Sequence, residues 1–145
     1  MKSKLVILVF AIGVVLATAV SVYMSRTIAP VQKTVTAVPS PDGRYKAVIF
    51  RLSQNGSGPF CYESVSIYLA AYPNDFAESE QGYQVYWSPC ATPANPADTP
   101  AVKWLANNEA RITYTQGPAP ADPRKLRKRV VDSSKFVKVT YVERK

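Results

Sequence analysis

Leu5 to Met24, LVILVFAIGVVLATAVSVYM, is a run of twenty residues without a charge, directly behind Met1-Lys2-Ser3-Lys4. At 1.5 Å rise per residue, a helix of that length reaches about 30 Å, the thickness of a bilayer's hydrocarbon core. Whatever follows must therefore fold as a separate unit, tethered to a membrane or exported across it. As a signal anchor, the whole run spans the bilayer. As a cleaved signal peptide, Lys2 and Lys4 are the basic n-region, Leu5 to Leu16 the apolar core, and Ala17-Thr18-Ala19 an A-x-A cleavage site. Apolar character continues through Val20, Val22, Tyr23 and Met24, which favours the anchor. No cysteine closes the run, so a lipoprotein is excluded.

Comparing Lys2 and Lys4 with Arg26 and Lys33 places the amino terminus in the cytoplasm, by a thin margin. The expected address is a single pass through the inner (plasma) membrane with an extracytoplasmic carboxy-terminal domain. The alternative is a secreted or periplasmic protein cleaved near Ala19. Residues 1–24 are then the anchor, 25–32 a linker in which Pro30 opposes continuation of the helix, and 33–145 one extracytoplasmic domain.

The chain holds 18 Lys+Arg against 10 Asp+Glu. Setting Lys2 and Lys4 aside leaves 16 against 10, so the exported part is still basic. A basic surface favours anionic partners such as lipid head groups or acidic proteins, and the membrane address argues against nucleic acid. The chain has no histidine and only two cysteines, Cys61 and Cys90. That excludes the usual zinc spacings and the Ser-His-Asp and Cys-His arrangements. No cofactor or metal is expected. The cysteine pair reads as a structural disulfide of an oxidising compartment before two separate buried thiols, and a redox pair is disfavoured because nothing resembles C-x-x-C.

Beyond residue 32 the apolar pattern has period two. Lys33 to Val38 is an expected first strand and Pro39-Ser40-Pro41-Asp42-Gly43 a turn, with proline presetting φ, aspartate bonding the local backbone and glycine accepting positive φ. Arg44 to Leu52 follows as a strand apolar on both faces, hence central. The SPDG turn followed by RYKAVIF resembles the strand-initiating motif of TolB-like β-propeller blades. It also looks like small, singly anchored bacterial domains of uncharacterised function. The likeness covers Ser40 to about Phe50, with an echo at Trp104 to Tyr114. It implies β-meander structure and carries over no catalytic or binding residue.

Ser53 to Pro59 reads as a flexible loop without the ending of a phosphate-binding loop. Phe60 to Ala70 and Tyr83 to Ser88 are expected to pair antiparallel, Val65 opposite Trp87 and Ile67 opposite Val85. This register sets Cys61 opposite Ala91, so a bulge near Ser88-Pro89 is needed to bring Cys61 to Cys90. Between these strands, Asp75, Glu78 and Glu80 read as a solvated surface loop before a weak calcium site. Trp87 and Trp104 read as core anchors before ligand-stacking platforms.

Pro89 to Pro100 should run extended. Ala101 to Leu105 and Ala110 to Thr115 form an expected hairpin with Val102 opposite Ile112 and Trp104 opposite Ala110. Asp122-Pro123 resembles a helix N-cap with proline at the first helical position, and Leu126 and Val130 are an i, i+4 apolar pair. A short helix from Pro123 to about Val131 would expose Arg124, Lys125, Arg127, Lys128 and Arg129 as a candidate anionic-surface site. Lys135 to Val142 closes the chain as a strand.

The expected fold is mainly β: a small antiparallel β sandwich or curved sheet of six to eight strands, preceded by one amino-terminal transmembrane helix. The expected function is a membrane-tethered extracytoplasmic interaction domain, of the envelope accessory, inhibitor or immunity type, bound to an envelope protein. The alternative is a structural protein on anionic lipid surfaces, acting through residues 124–129. An enzyme is the least favoured class.

Overall fold

The computed structural model describes residues 12–23, 28–56, 60–90, 97, 99–115 and 126–144. Residues 12–23 form a helix, α1, with every side chain exposed. No helix among the described residues is long and apolar enough to cross a membrane. The remainder of the Leu5–Met24 run lies outside the described residues.

Eight strands follow: β1 Ile28–Pro39, β2 Tyr45–Gly56, β3 Phe60–Leu69, β4 Gln84–Pro89, β5 Ala101–Ala106, β6 Glu109–Thr115, β7 Arg127–Lys128 and β8 Lys138–Arg144. A short helix, α2 (Phe76–Ser79), and a 3-10 turn, Gln81–Tyr83, link β3 to β4. The strands form a five-stranded sheet, β1-β2-β3-β4-β7, and a three-stranded sheet, β5-β6-β8. Their inner faces pack as a sandwich. Ala47, Ile49, Val65 and Ile67 from the large sheet meet Ala110, Ile112 and Val139 from the small one, all buried. All paired strands run antiparallel except β6 and β8, which are parallel.

Several boundaries and registers differ from the sequence-based expectation. The first strand begins at Ile28 rather than Lys33, within the expected linker. Pro30 is accommodated because β1 is an edge strand with a register irregularity between Ile28 and Val31. Strand β2 runs on to Gly56 through half of the expected loop, since Ser53 and Gln54 pair with Cys61 and Phe60. Its central position explains why Val48 and Phe50 on one face and Ala47 and Ile49 on the other are all buried.

The β3–β4 pairing is one residue away from the expected register: Ser64 faces Trp87 and Val65 faces Tyr86, and the bulge falls at Val85 instead of Ser88-Pro89. The displaced bulge lets the consecutive residues Val85 and Tyr86 both be buried, which strict alternation forbids. The β5–β6 hairpin has the expected register, Val102 opposite Ile112 and Trp104 opposite Ala110. Trp104 packs against the core and its indole N–H donates to the Val38 carbonyl at 3.0 Å, stitching the two sheets.

The SPDG turn behaves as its residues dictate. Gly43 has φ of 69°, the Gly43 N–H donates to the Ser40 carbonyl at 2.9 Å, and Asp42 Oδ1 accepts from the Arg44 N–H at 3.2 Å. The Ser40 hydroxyl, 2.7 Å from Asp42 Oδ1, is the main reason the Asp42 carboxyl lies below its usual pKa.

Strand β8 starts three residues later than expected. A tight loop precedes it, in which Lys135 has φ of 61° and buried Asp132 accepts from the Val137 N–H at 2.8 Å and the Ser134 hydroxyl at 2.6 Å. Asp132→Ala leaves the buried Val137 N–H without this acceptor. It should lower unfolding free energy by about 1–3 kcal/mol in urea melts, against a few tenths for Ser133→Ala on the exposed side of the same loop.

Candidate functional site

With no catalytic residue singled out by sequence pattern, the candidate site is sought where chemistry-bearing side chains converge. Cys61 and Cys90 form the expected disulfide, with Cα atoms 5.4 Å apart, and the Cys90 N–H donates to the Cys61 carbonyl. The cross-link pins the end of β4 to the start of β3. It thereby fixes the β3–β4 ladder on which the outer face of the large sheet is built.

That face carries a row across all five strands: Val35, Phe50, Ser64, Trp87 and Arg127 are successive lateral partners. Tyr62 projects from the same side of β3, diagonal to both Phe50 and Trp87. The Phe50 and Tyr62 ring centroids are 6.1 Å apart, those of Tyr62 and Trp87 are 6.2 Å apart, and neighbouring planes lie within 31°. Cations cap both ends: Lys33 Nζ sits 5.5 Å from the Phe50 centroid, and the Arg127 guanidinium 6.0 Å from that of Trp87. Such contacts contribute about 0.5–1 kcal/mol each where exposed and more where water is excluded.

Beside this strip, α2 folds back onto the sheet. Ala77 is buried with Val48 and Tyr68 in a second small core, against which Phe76 and Tyr83 pack. The shelf so made leaves a pocket of about 250 Å³ over Ser64, closed by Tyr62, Trp87 and Arg127 from the sheet and by Glu78 and Gln81 from the shelf. Gln84 completes its lining. The small side chain of Ser64 lines the depression. Ser66, the lateral partner of Gln84, is fully buried, and its Oγ has no hydrogen-bond partner among the described residues. The pocket joins aromatic faces to carboxamide, hydroxyl, carboxylate and guanidinium groups, a lining suited to recognising a ligand with both apolar and polar sides.

Of the five cations expected on one helix, Arg124 and Lys125 lie outside the described residues. The other three are not helical. Arg127 and Lys128 form β7, pairing with Trp87 and Tyr86, and Val130 is 71% exposed, so no apolar i, i+4 face is buried. Strand pairing to β4 overrides the local helix signal. The alternation of β7 separates neighbouring charges. Arg127 lies on the outer face over Trp87, whereas Lys128 is 4.2 Å from the Tyr114 centroid and bonds its hydroxyl. Arg129 donates from Nη1 to the Gly82 carbonyl at 2.8 Å.

The acidic connection is similarly engaged: Asp75 precedes α2, Glu78 lies within it and pairs with Lys33, and Glu80 follows it. Among the described residues no group of three or more histidine, cysteine or acidic side chains is placed to hold a metal ion.

Behind β7, Tyr86, Tyr114 and Tyr141 cluster with ring centroids 5.6–6.5 Å apart. The Tyr141 hydroxyl lies 2.7 Å from the Val85 carbonyl and 2.8 Å from that of Arg129. Burial pushes both the Tyr86 and Tyr141 hydroxyls up to about 12. Below pH 10 both phenols are protonated, folded or unfolded, and their contribution is intact. As pH rises from about 10 to about 12 the unfolded chain gives up these protons first, and stability falls. Urea melts at intervals over that range should show a declining midpoint, and Tyr141→Phe should show a shallower decline.

The sequence pattern left Phe50, Tyr62, Gln81 and Gln84 unassigned and put Trp87 in the core. Once Val65 and Ile67 face inward, Tyr62, Ser64 and Ser66 must face outward, and that alternation was the available signal. No protein-family model, curated protein or solved structure matches this chain.

Proposed function

We propose that this protein is a membrane-tethered extracytoplasmic interaction domain that acts by binding another component of the cell envelope, with the outer face of its five-stranded sheet as the recognition surface. The observation that carries this reading is the cation-capped row Lys33, Phe50, Tyr62, Trp87 and Arg127 beside a pocket. Aromatic and arginine side chains dominate recognition surfaces because they bring large contact area and directional polar groups together. The tether is supported by the uncharged run from Leu5 to Met24, and the compartment by the Cys61–Cys90 disulfide.

Binding of anionic lipid through residues 124–129 has weaker support. Lys128 and Arg129 are held against Tyr114 and Gly82, which leaves Arg127 as the outward cation of the described three. Charge reversal at Lys125 and Arg127 separates the two readings. Under the lipid reading it abolishes binding to vesicles rich in phosphatidylglycerol. Under the interaction reading vesicle binding is unchanged.

The direct test is chemical cross-linking of the carboxy-terminally tagged chain in intact membranes, followed by identification of what co-purifies. A component recovered in stoichiometric amount, and lost on Trp87→Ala, is the expected result. Recovery of the tagged chain with lipid alone would refute the interaction reading.

A further inference from the structure

The two cations that cap the aromatic row differ in one respect. Lys33 is neutralised by Glu78, whereas no carboxylate among the described residues pairs with Arg127. The pocket therefore offers one guanidinium, stacked on Trp87 and open to solvent, at the end of an aromatic wall. Gln81, Gln84 and the almost wholly buried Ser64 also line the pocket, adding two carboxamides and a hydroxyl.

A ligand matching this lining carries an apolar face, several hydroxyl groups around its edge and a single negative charge. At about 250 Å³ the space is smaller than the roughly 300–1,000 Å³ of sites for drug-sized molecules, and suits one ring. We propose that the pocket binds a uronic-acid residue of a glycan: its carboxylate on Arg127, the C–H face of the sugar against Trp87 and Tyr62, and its hydroxyls on Gln81, Gln84 and Ser64. The proposal rests on the reading of this face as the recognition surface.

Two other ligand classes fit less well. A nucleic-acid strand carries a phosphate at every nucleotide, and the pocket offers it a single cation outside an ion pair, Arg127. A planar aromatic acid satisfies Arg127 and the rings but leaves the two carboxamides and the serine unused. A carboxylated sugar uses all of them, and a guanidinium meets a carboxylate through two parallel N–H donors.

The test is titration of the full chain in detergent micelles, at about 0.15 M salt, with tri-galacturonate and a hyaluronan hexasaccharide. Galactotriose serves as the neutral control and oligo-dT as the competing polyanion. Saturable binding of at least one acidic oligosaccharide is expected, about tenfold weaker for galactotriose and weakened about tenfold or more by Arg127→Gln and by Trp87→Ala. If Trp87→Ala does not fold, Arg127→Gln decides alone, because Arg127 is exposed.

Absence of saturable binding by both acidic oligosaccharides, or binding indifferent to Arg127→Gln, overturns the proposal. So does oligo-dT displacing the sugar at lower concentration, which would assign the pocket to nucleic acid. A protein cross-linked to the outer face of a chain that binds neither sugar would refute the uronate ligand and leave the recognition surface standing.

Discussion

Replacing Glu63 by alanine should destabilise the domain by about 3–5 kcal/mol, the largest effect expected of any single substitution outside the apolar core. Arg51 and Glu63 are lateral partners on β2 and β3, on the same inner face as Ile49 and Val65. Their side chains are 7% and 2% exposed, and Arg51 Nη1 also donates to Thr99 Oγ1 at 3.0 Å. Removing the carboxylate takes the Glu63 ion pair away from a guanidinium in a low-dielectric interior. Replacing both residues by apolar ones of similar volume, Arg51→Met with Glu63→Leu, removes the desolvation penalty together with the attraction. The double variant should therefore lie much closer to the parent. Urea melts of the three proteins check this; a Glu63→Ala midpoint equal to that of the parent would contradict the buried pair.

Removing the disulfide by Cys61→Ala with Cys90→Ala should be nearly as severe, about 3–4 kcal/mol from chain entropy for a sequence separation of 29. The loss should not be spread evenly. Cys61 and Cys90 close the end of the β3–β4 ladder, and β7 is only two residues long and hangs on β4. Hydrogen exchange should therefore rise first in β4 and β7, which carry Trp87 and Arg127, while the β5–β6 hairpin stays protected. Uniform acceleration across both sheets would show that the cross-link acts on the unfolded chain alone.

The two hairpins explain why some of this architecture was legible in the sequence and some was not. In β5–β6 the turn at Asn107-Asn108 is short and the register irregularity between Trp104 and Ala106 falls next to it, so the inward pairs Val102–Ile112 and Trp104–Ala110 follow from counting. In β3–β4 a fourteen-residue connection, residues 70–83, separates the strands and a bulge at Val85 breaks the alternation. Counting from apolar residues then lands one position away and puts Trp87 on the wrong face. The parallel β6–β8 pair was beyond local pattern altogether, because nothing in Lys138–Arg144 distinguishes a parallel partner from an antiparallel one.

The basic segment shows the opposite failure. Asp122-Pro123 and the Leu126/Val130 spacing are true helix signals, yet Leu126 packs against the core and Arg127 and Lys128 extend the sheet. A two-residue edge strand gains its stability from tertiary partners, here Tyr86 and Trp87, and leaves little trace in its own composition. The pocket inherits this invisibility. Phe50, Tyr62, Gln81, Trp87 and Arg127 are spread over most of the domain's length and meet only after the sheet and the α2 shelf have formed.

The proposed recognition surface is the outer face of the large sheet and not the small sheet. Site-specific photo-crosslinking in intact membranes tests it most directly, with the photoreactive residue at Gln81 beside the pocket in one protein and at exposed Lys103 on β5 in another. A discrete adduct is expected from position 81, abolished by Trp87→Ala, and none from position 103. Adducts from position 103 alone, or from both positions equally, would contradict this placement.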